Sequence, residues 1–262
     1  MTITFHIIAN SFCYSVFIFT PKMFLIDQIF AAAYGAQSSL GRSYYTSGAS
    51  GPSIQSFRER TYTLNGAVLA ATGIADHEAF VRMVEEEFPA PVPGSQPAPV
   101  MTSQYIGGEA RRSDGSGYTH VGLAFEGPTS AQVMNVLKHC LGASAFAAPG
   151  IIGVYSGNLD ELSKAITTAP STDVIAKAKA AAKAEAIRAL DLGSKSLAYA
   201  MTDSILNSCG FSEKALAESY DAVSVDQVST AYSAMLKSKL SLAAVGNISN
   251  VPYHATIASR FN

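Results

Sequence analysis

Apolar residues recur along this chain with two spacings, one near 3.6 and one near 2, and the segments they mark alternate. From Asp27 to Arg42, "DQIFAAAYGAQSSLGR" predicts a helix with Asp27 as its cap, closing near Gly41. The Gly/Ser stretch "TSGASGPS" then breaks the chain. A short helix over 54–62 leads into a predicted strand, "GAVLAATG", residues 66–73. Phe80, Met83, Val84 and Phe88 follow at i, i+3, i+4 and i+8, the stripe of an amphipathic helix packed on a sheet. Five of the eleven prolines fall between Pro89 and Pro99, where neither helix nor central strand can persist, and this marks the domain boundary. Beyond it a strand is expected near Gln104 to Ile106, a turn at "SDGSG" and a strand from Thr119 to Glu126. A helix from Ser130 to Leu141 with Val133, Leu137 and Leu141 in one row comes next, then a strand over 151–157. Helices are expected from there to Lys237, among them the Ala/Lys-rich run "AKAKAAAKAEAIRAL", read as a solvated helix rather than a basic docking patch.

The last unit repeats an earlier one. "SVDQVSTAYSAMLKSKLSLAAVGNIS" pairs a helix striped by Val225, Val228, Tyr232 and Met235 with a strand ending in "AAVGN". Residues 53–76 have the same order and close on "AATGI", so that Gly73 and Gly246 correspond at a shift of 173 residues. A period this long is not that of a solenoid. It implies two homologous α+β domains, the first of them incomplete.

Composition narrows the function classes. The chain has 262 residues, 48% of them apolar, which is enough to bury a core; only 15% are charged, against roughly 25% in an average protein. A formal net charge of −2 supplies no basic field, so a nucleic-acid partner is disfavoured. Cys13, Cys140 and Cys209 are odd in number and far apart, which implies neither a disulfide framework nor a zinc knuckle. Ile3 to Thr20 is free of charge and 18 residues long, at the lower limit for a membrane span, and is interrupted by Asn10, Ser11 and Ser15. Three readings stay open for residues 1–26: an extension without function, a membrane anchor and a signal peptide.

Candidate chemistry is sparse. The five histidines are His6, His77, His120, His139 and His254, and neither H-x-x-E-H nor H-E-x-x-H occurs. A metallopeptidase needs two imidazoles converging from one helix face with a glutamate beside the bound water. His77-Glu78 reads as a helix start, and His120 and His139 as packing or hydrogen-bonding residues. Glu85, Glu86 and Glu87 point about 100° apart on a helix and cannot converge on one ion. The pair Gly107-Gly108 completes no phosphate loop and is read as relief of crowding at a strand end. No catalytic, cofactor-binding or metal-ligating residue is assigned, and no cofactor is implied.

"YIGGEARRSDGSGYTHVGLAFEGP" followed by "AQVMNVLKHCLGAS" resembles the start of the second domain in the mitochondrial processing peptidase family, which includes the core subunits of ubiquinol-cytochrome c reductase, respiratory complex III. The marks are Tyr105, Gly107, Gly108, Glu109 and Arg111, then His120, Leu123 and Glu126, then a helix ending in Leu-Gly-Ala. "FAAAYGAQSSLGRSYY" and "VLAATGIADHEAFVRMVEEEF" resemble late parts of the first domain, and "LAAVGNISNVPYHATIASRF" the end of the subunit.

The resemblance implies an α+β fold of two related peptidase-type α/β sandwich domains, each sheet covered by helices. An apolar extension (1–26) would precede the C-terminal part of the first domain (27–88), a linker (89–100) and a second domain (101–262) shortened near 143–150. Because the front of the first domain carries the zinc motif in active relatives, it also implies a truncated, non-catalytic chain. "AFAAP" stands where the family has a longer stretch, and an unpaired sheet edge is expected from its loss. The implied role is a structural core subunit of complex III on the matrix side of the inner mitochondrial membrane, with a second core subunit and the other complex III subunits as partners. The alternative is a presequence-binding α subunit of the processing peptidase, partnered by its β subunit. A peptidase acting alone would need the missing motif.

Overall fold

A computed structural model describes residues 21–43, 50–61, 67–88, 103–113, 115, 117–206 and 212–261. The apolar stretch to Thr20, the proline-rich segment 89–100, Cys13, Cys209 and His6 lie outside the described residues. The fold is α+β, built on a five-stranded mixed sheet.

The sheet is made by β1 (Gly108–Arg112), β2 (Thr119–Glu126), β3 (Ala145–Ala148), β4 (Ile151–Ser156) and β5 (Ser241–Gly246), in the order β1-β5-β2-β4-β3. Strand β1 runs parallel to β5, with Gly108 opposite Ser241 and Arg112 opposite Val245, and the remaining pairs are antiparallel. Alternation along each strand divides the two faces. On one face Val121, Leu123 and Phe125 of β2, Ile152 and Val154 of β4 and Leu242 of β5 join a single core. It is closed by α4 (Ala131–Leu141), α5 (Leu159–Thr167) and α9 (Val225–Lys237), through Val133, Leu137, Leu162, Ile166, Val228 and Met235. Their starts are set locally: Ser130 accepts from Val133 N–H, Asn158 from Asp160 and Glu161, and Ser224 forms a reciprocal capping box with Gln227.

The second face carries small residues, and the reason is α1 (Pro21–Tyr34), which lies directly on it. A Cβ on Gly122 would stand 2.5 Å from Ile29 Cδ1, so glycine there leaves room for the tip of that buried side chain. Leu25, Ile29, Ala33 and Tyr34 meet Ala124, Phe146, Ile151, Ala243 and Val245 in a second core. The helix differs from its sequence reading at both ends. It starts at Pro21, inside the stretch read as an extension, and stops at Tyr34, because Gly35 breaks it and Ala33 O instead accepts from Ile106 and Gly107. Asp27 is therefore no cap; it is buried mid-helix and accepts a 2.6 Å hydrogen bond from Ser43 Oγ.

A second helical layer is formed by α6 (Thr172–Asp191), which packs on α4 and α8 (Glu213–Asp221), with Ala178 and Ala182 buried. Its lysines serve the C-terminus of α8: Lys179 donates to Asp221 O and Val223 O, and Lys183 pairs with Asp221. The Ala/Lys run thus acts as a packed strut as well as a solvated face.

Three further expectations are corrected. Residues 67–73 form no strand, because among the described residues no strand lies beside them to complete a ladder. The stripe helix, α3 (His77–Glu87), is capped by Asp76 but packs on no sheet among the described residues, and none of its residues is buried. The strand expected at 104–106 forms at Gly108–Arg112, where β5 offers a partner. The stretch "AFAAP" itself supplies β3, pairing Ala145 to Ala148 with Val154 to Ile151. In α9, Val225 is exposed, while Val228, Tyr232 and Met235 are buried as expected.

Candidate functional site

The residues considered for chemistry are scattered. His77 opens α3 in solvent, His120 sits half-buried in β2, and Glu85 to Glu87 are exposed at the end of α3. His139 lies 2.7 Å from Glu185 Oε2 through Nε2, and Lys138 Nζ reaches the same carboxylate at 2.9 Å, linking α4 to α6. The Lys138 hydrogen bond, opposed by partial burial and reinforced by His139, holds Glu185 below the usual glutamate range. Burial pushes the Cys140 thiol up to about 11, leaving almost no thiolate at neutral pH. Among the described residues, no group of three or more His, Cys, Asp or Glu side chains could hold a metal ion.

The Tyr-x-Gly-Gly-Glu-x-Arg motif holds the strand order of the sheet. Tyr105 Oη lies 2.7 Å from Lys239 O and 2.8 Å from Ser241 Oγ, donating to the carbonyl and accepting from the hydroxyl. Gly107 has φ +69, and a Cβ there would meet Lys239 Cβ at 2.6 Å, so both its conformation and its space require glycine. Glu109 pairs with Arg111 at 2.8 Å and accepts the His254 backbone N–H at 2.9 Å. Arg111 donates onward to Val251 O and Pro252 O, and His254 Nε2 donates to Leu240 O. A charged pair that is only partly exposed, with its remaining donors on backbone carbonyls, fixes geometry. It holds β1 and the short helix α10 (His254–Ala258) against β5.

What the molecule offers outward is apolar surface. Over residues 50–88 none of the described residues is buried. Ile54 of α2 (Gly51–Thr61) is 57% exposed and Leu69 52%, and Phe57, Ile74 and Val81 are exposed as well. Next to this segment, where Thr72 Oγ1 donates to Ser194 O, α7 (Ser194–Leu206) presents Tyr199 and Ile205, and Leu192 just before it is exposed too. Large apolar side chains grouped on helices that pack little against their own fold mark an interaction surface. Among the described residues no helix is long and apolar enough to cross a membrane.

A cavity of 620 Å³ opens where α1 ends, β2 leaves the sheet and β3 turns into β4. Its lining includes Tyr34, Tyr105, Glu126, Met134, Asn135 and Gly150. Sequence reasoning did not assemble these residues, since they come from five separate segments with no spacing to announce them.

No family profile matches the chain. In sequence it is 31% identical over 141 residues to the probable mitochondrial-processing peptidase subunit alpha-2 of Arabidopsis thaliana, and 29% over 147 residues to the alpha-1 subunit of that plant. Each match takes in 50% of this chain and 28% of the relative, so the chain spans well under two thirds of the curated relatives it matches. In structure it superposes on a chain of complex III from Candida albicans, with a TM-score of 0.75, 16% identity, and coverage of 92% of this chain and 70% of the other. The chain is thus a sequence relative of processing-peptidase α subunits and shares the fold of a complex III chain.

Proposed function

We propose that this chain is a non-catalytic structural subunit of the mitochondrial ubiquinol-cytochrome c reductase type, acting through contact surfaces on the matrix side of the inner membrane. Residues 27–88 represent the last part of a first peptidase-like domain, residues 89–100 a linker and residues 101–262 a second such domain. The observation that carries this reading is the superposition over 92% of the chain on a complex III chain, joined to an apolar surface at residues 51–88 that the fold leaves uncovered. The partners are a second core subunit and the other subunits of the complex, and electron transfer belongs to those others.

A second reading is favoured by the sequence matches, both of which are to α subunits of the processing peptidase. On that reading the chain binds presequences beside a β subunit that performs the cleavage. The two separate in a native extract. Comigration of the tagged chain with cytochrome b and the iron-sulfur protein is expected for the first, whereas a smaller assembly that retains a presequence peptide and lacks cytochrome b would establish the second. A monodisperse monomer in sizing chromatography, with no partner retained, would defeat both.

A further inference from the structure

A second cavity, of 680 Å³, opens among the first turn of α1, the last turn of α4 and the second half of α6, and its charge is unlike that of the chain as a whole. Lys22, Lys138 and Arg188 line it against one acid, Glu185; three cations less one carboxylate leave +2 even with no charge on His139, whereas the whole chain carries −2. Like charges gathered in one cleft repel, and an anion among them relieves the repulsion. The carboxyl end of α4 supplies roughly half a negative charge that fades within a turn, so the cleft stays positive.

The cations are not equally engaged. Glu185 holds Lys138 at 2.9 Å and His139 at 2.7 Å, and a carboxylate so held is ionised at neutral pH. Arg188 makes no hydrogen bond or ion pair with a described residue, and Lys22 makes only a ring contact, its Nζ lying 4.6 Å from the centre of Tyr155. A ring face covers one side of an ammonium group and leaves its other N–H groups for an acceptor. All the remaining lining is glycine or alanine, which adds no acceptor side chain and no long apolar wall. Free donors with a surplus of two positive charges select a compact, oxygen-rich dianion. A carboxylate brings one charge and two oxygens. A phosphate monoester brings about 1.5 to 2 negative charges at neutral pH and three terminal oxygens, two of which match the fork of an arginine.

We infer that this cleft binds the phosphate group of a monoester, with Arg188 and Lys22 donating to its terminal oxygens and Lys138 adding its remaining N–H. None of the lining belongs to residues 50–88, so the site goes beyond the structural role and does not rest on it. The test is calorimetric titration of the full chain with glycerol 3-phosphate, and with acetate as the singly charged comparison. The ester should bind about tenfold more tightly than acetate, and Arg188→Gln combined with Lys22→Gln should weaken it by about tenfold or more. The melting temperature should stay in place, because Arg188 has no internal partner and Lys22 only a ring contact. Glu185→Gln should do the opposite and tighten binding severalfold, since it releases Lys138 and His139 and adds a unit of positive charge; no loss of folding can imitate that gain. Flotation with phosphatidylcholine vesicles containing about one-fifth phosphatidic acid separates the two sources of such a group. Capture that the double substitution abolishes assigns the site to a lipid headgroup, and binding of glycerol 3-phosphate without capture assigns it to a soluble ester. Equal affinity for acetate, full affinity of either phosphate probe in the double variant, unaltered binding in Glu185→Gln, or no binding of either probe to a cooperatively folded chain would overturn the proposal. None of these measurements uses a partner subunit, so this test and the extract experiment fail separately.

Discussion

In residues 225–261 a helix, an extended segment closing on Gly246, a short loop and a second helix follow one another. Residues 51–88 repeat that order, with Gly73 in the place of Gly246. Both glycines have positive φ, 99° and 75°, so the two stretches agree in the left-handed backbone at that position. They part in what lies beside them. Segment 241–246 is flanked by β1 and β2 and buried throughout; segment 67–73 has no strand beside it among the described residues, and Leu69 stays half exposed. The lesson is that a strand belongs to the pair. Its hydrogen bonds and both its neighbours' side chains come from elsewhere in the chain, so a sequence suited to pairing remains an open segment until a partner arrives.

The largest effect that could break this contrast is in amide exchange. Amides of β5 should exchange only through global unfolding, and those of residues 67–73 at least about a hundredfold faster; equal protection would mean that the first copy is as firmly paired as the second. Denaturant titration should separate the copies next. Leu242→Ala, at a fully buried site, should cost about 2–5 kcal/mol, whereas Leu69→Ala should stay within about 0.5 kcal/mol. A comparable loss in both would remove the distinction. Alanine at the two glycines is a finer probe: each meets the same left-handed backbone, worth about 1–2 kcal/mol, but Gly246→Ala should show that cost in global unfolding and Gly73→Ala should not.

The smallest effect lies at the ion cluster behind the sheet. Glu185 is held below its usual range in the folded chain, so its contribution is present at neutral pH and is lost as pH falls through that lowered value. Because its side chain is 56% exposed, solvent screening leaves only a few tenths of a kcal/mol, and Glu185→Gln should flatten the acid side of the stability curve by that amount. A larger change would show that the α4–α6 contact depends on charge more than on Ala178 and Ala182.

Much of the second half was legible because its signals are local. The strand run Thr119–Glu126, the row Val133, Leu137, Leu141 and the stripe Val228, Tyr232, Met235 need no distant information, and their elements form with nearly the expected bounds. The Phe80–Phe88 stripe was equally clear as a helix, but which surface it covers is not a local property. Strand β3 escaped notice because its three alanines, Ala145, Ala147 and Ala148, carry little β preference, Phe146 alone makes no period, and the segment pairs with β4 only two residues away. The cavity was illegible for a related reason: Tyr34 and Glu126 are far apart in the chain, and each reads alone as an ordinary helix or strand terminus.

By itself the sequence determined the main helices and strands of the second half and the family likeness of the Tyr105–Arg111 motif, since these depend on side chains a few positions apart. Tertiary structure alone decided that α1 covers the second sheet face, that β1 pairs with β5 and that the segment before Gly73 stays open. Those outcomes rest on which surfaces meet across long stretches of chain, and the free energy of burial exists only once they do.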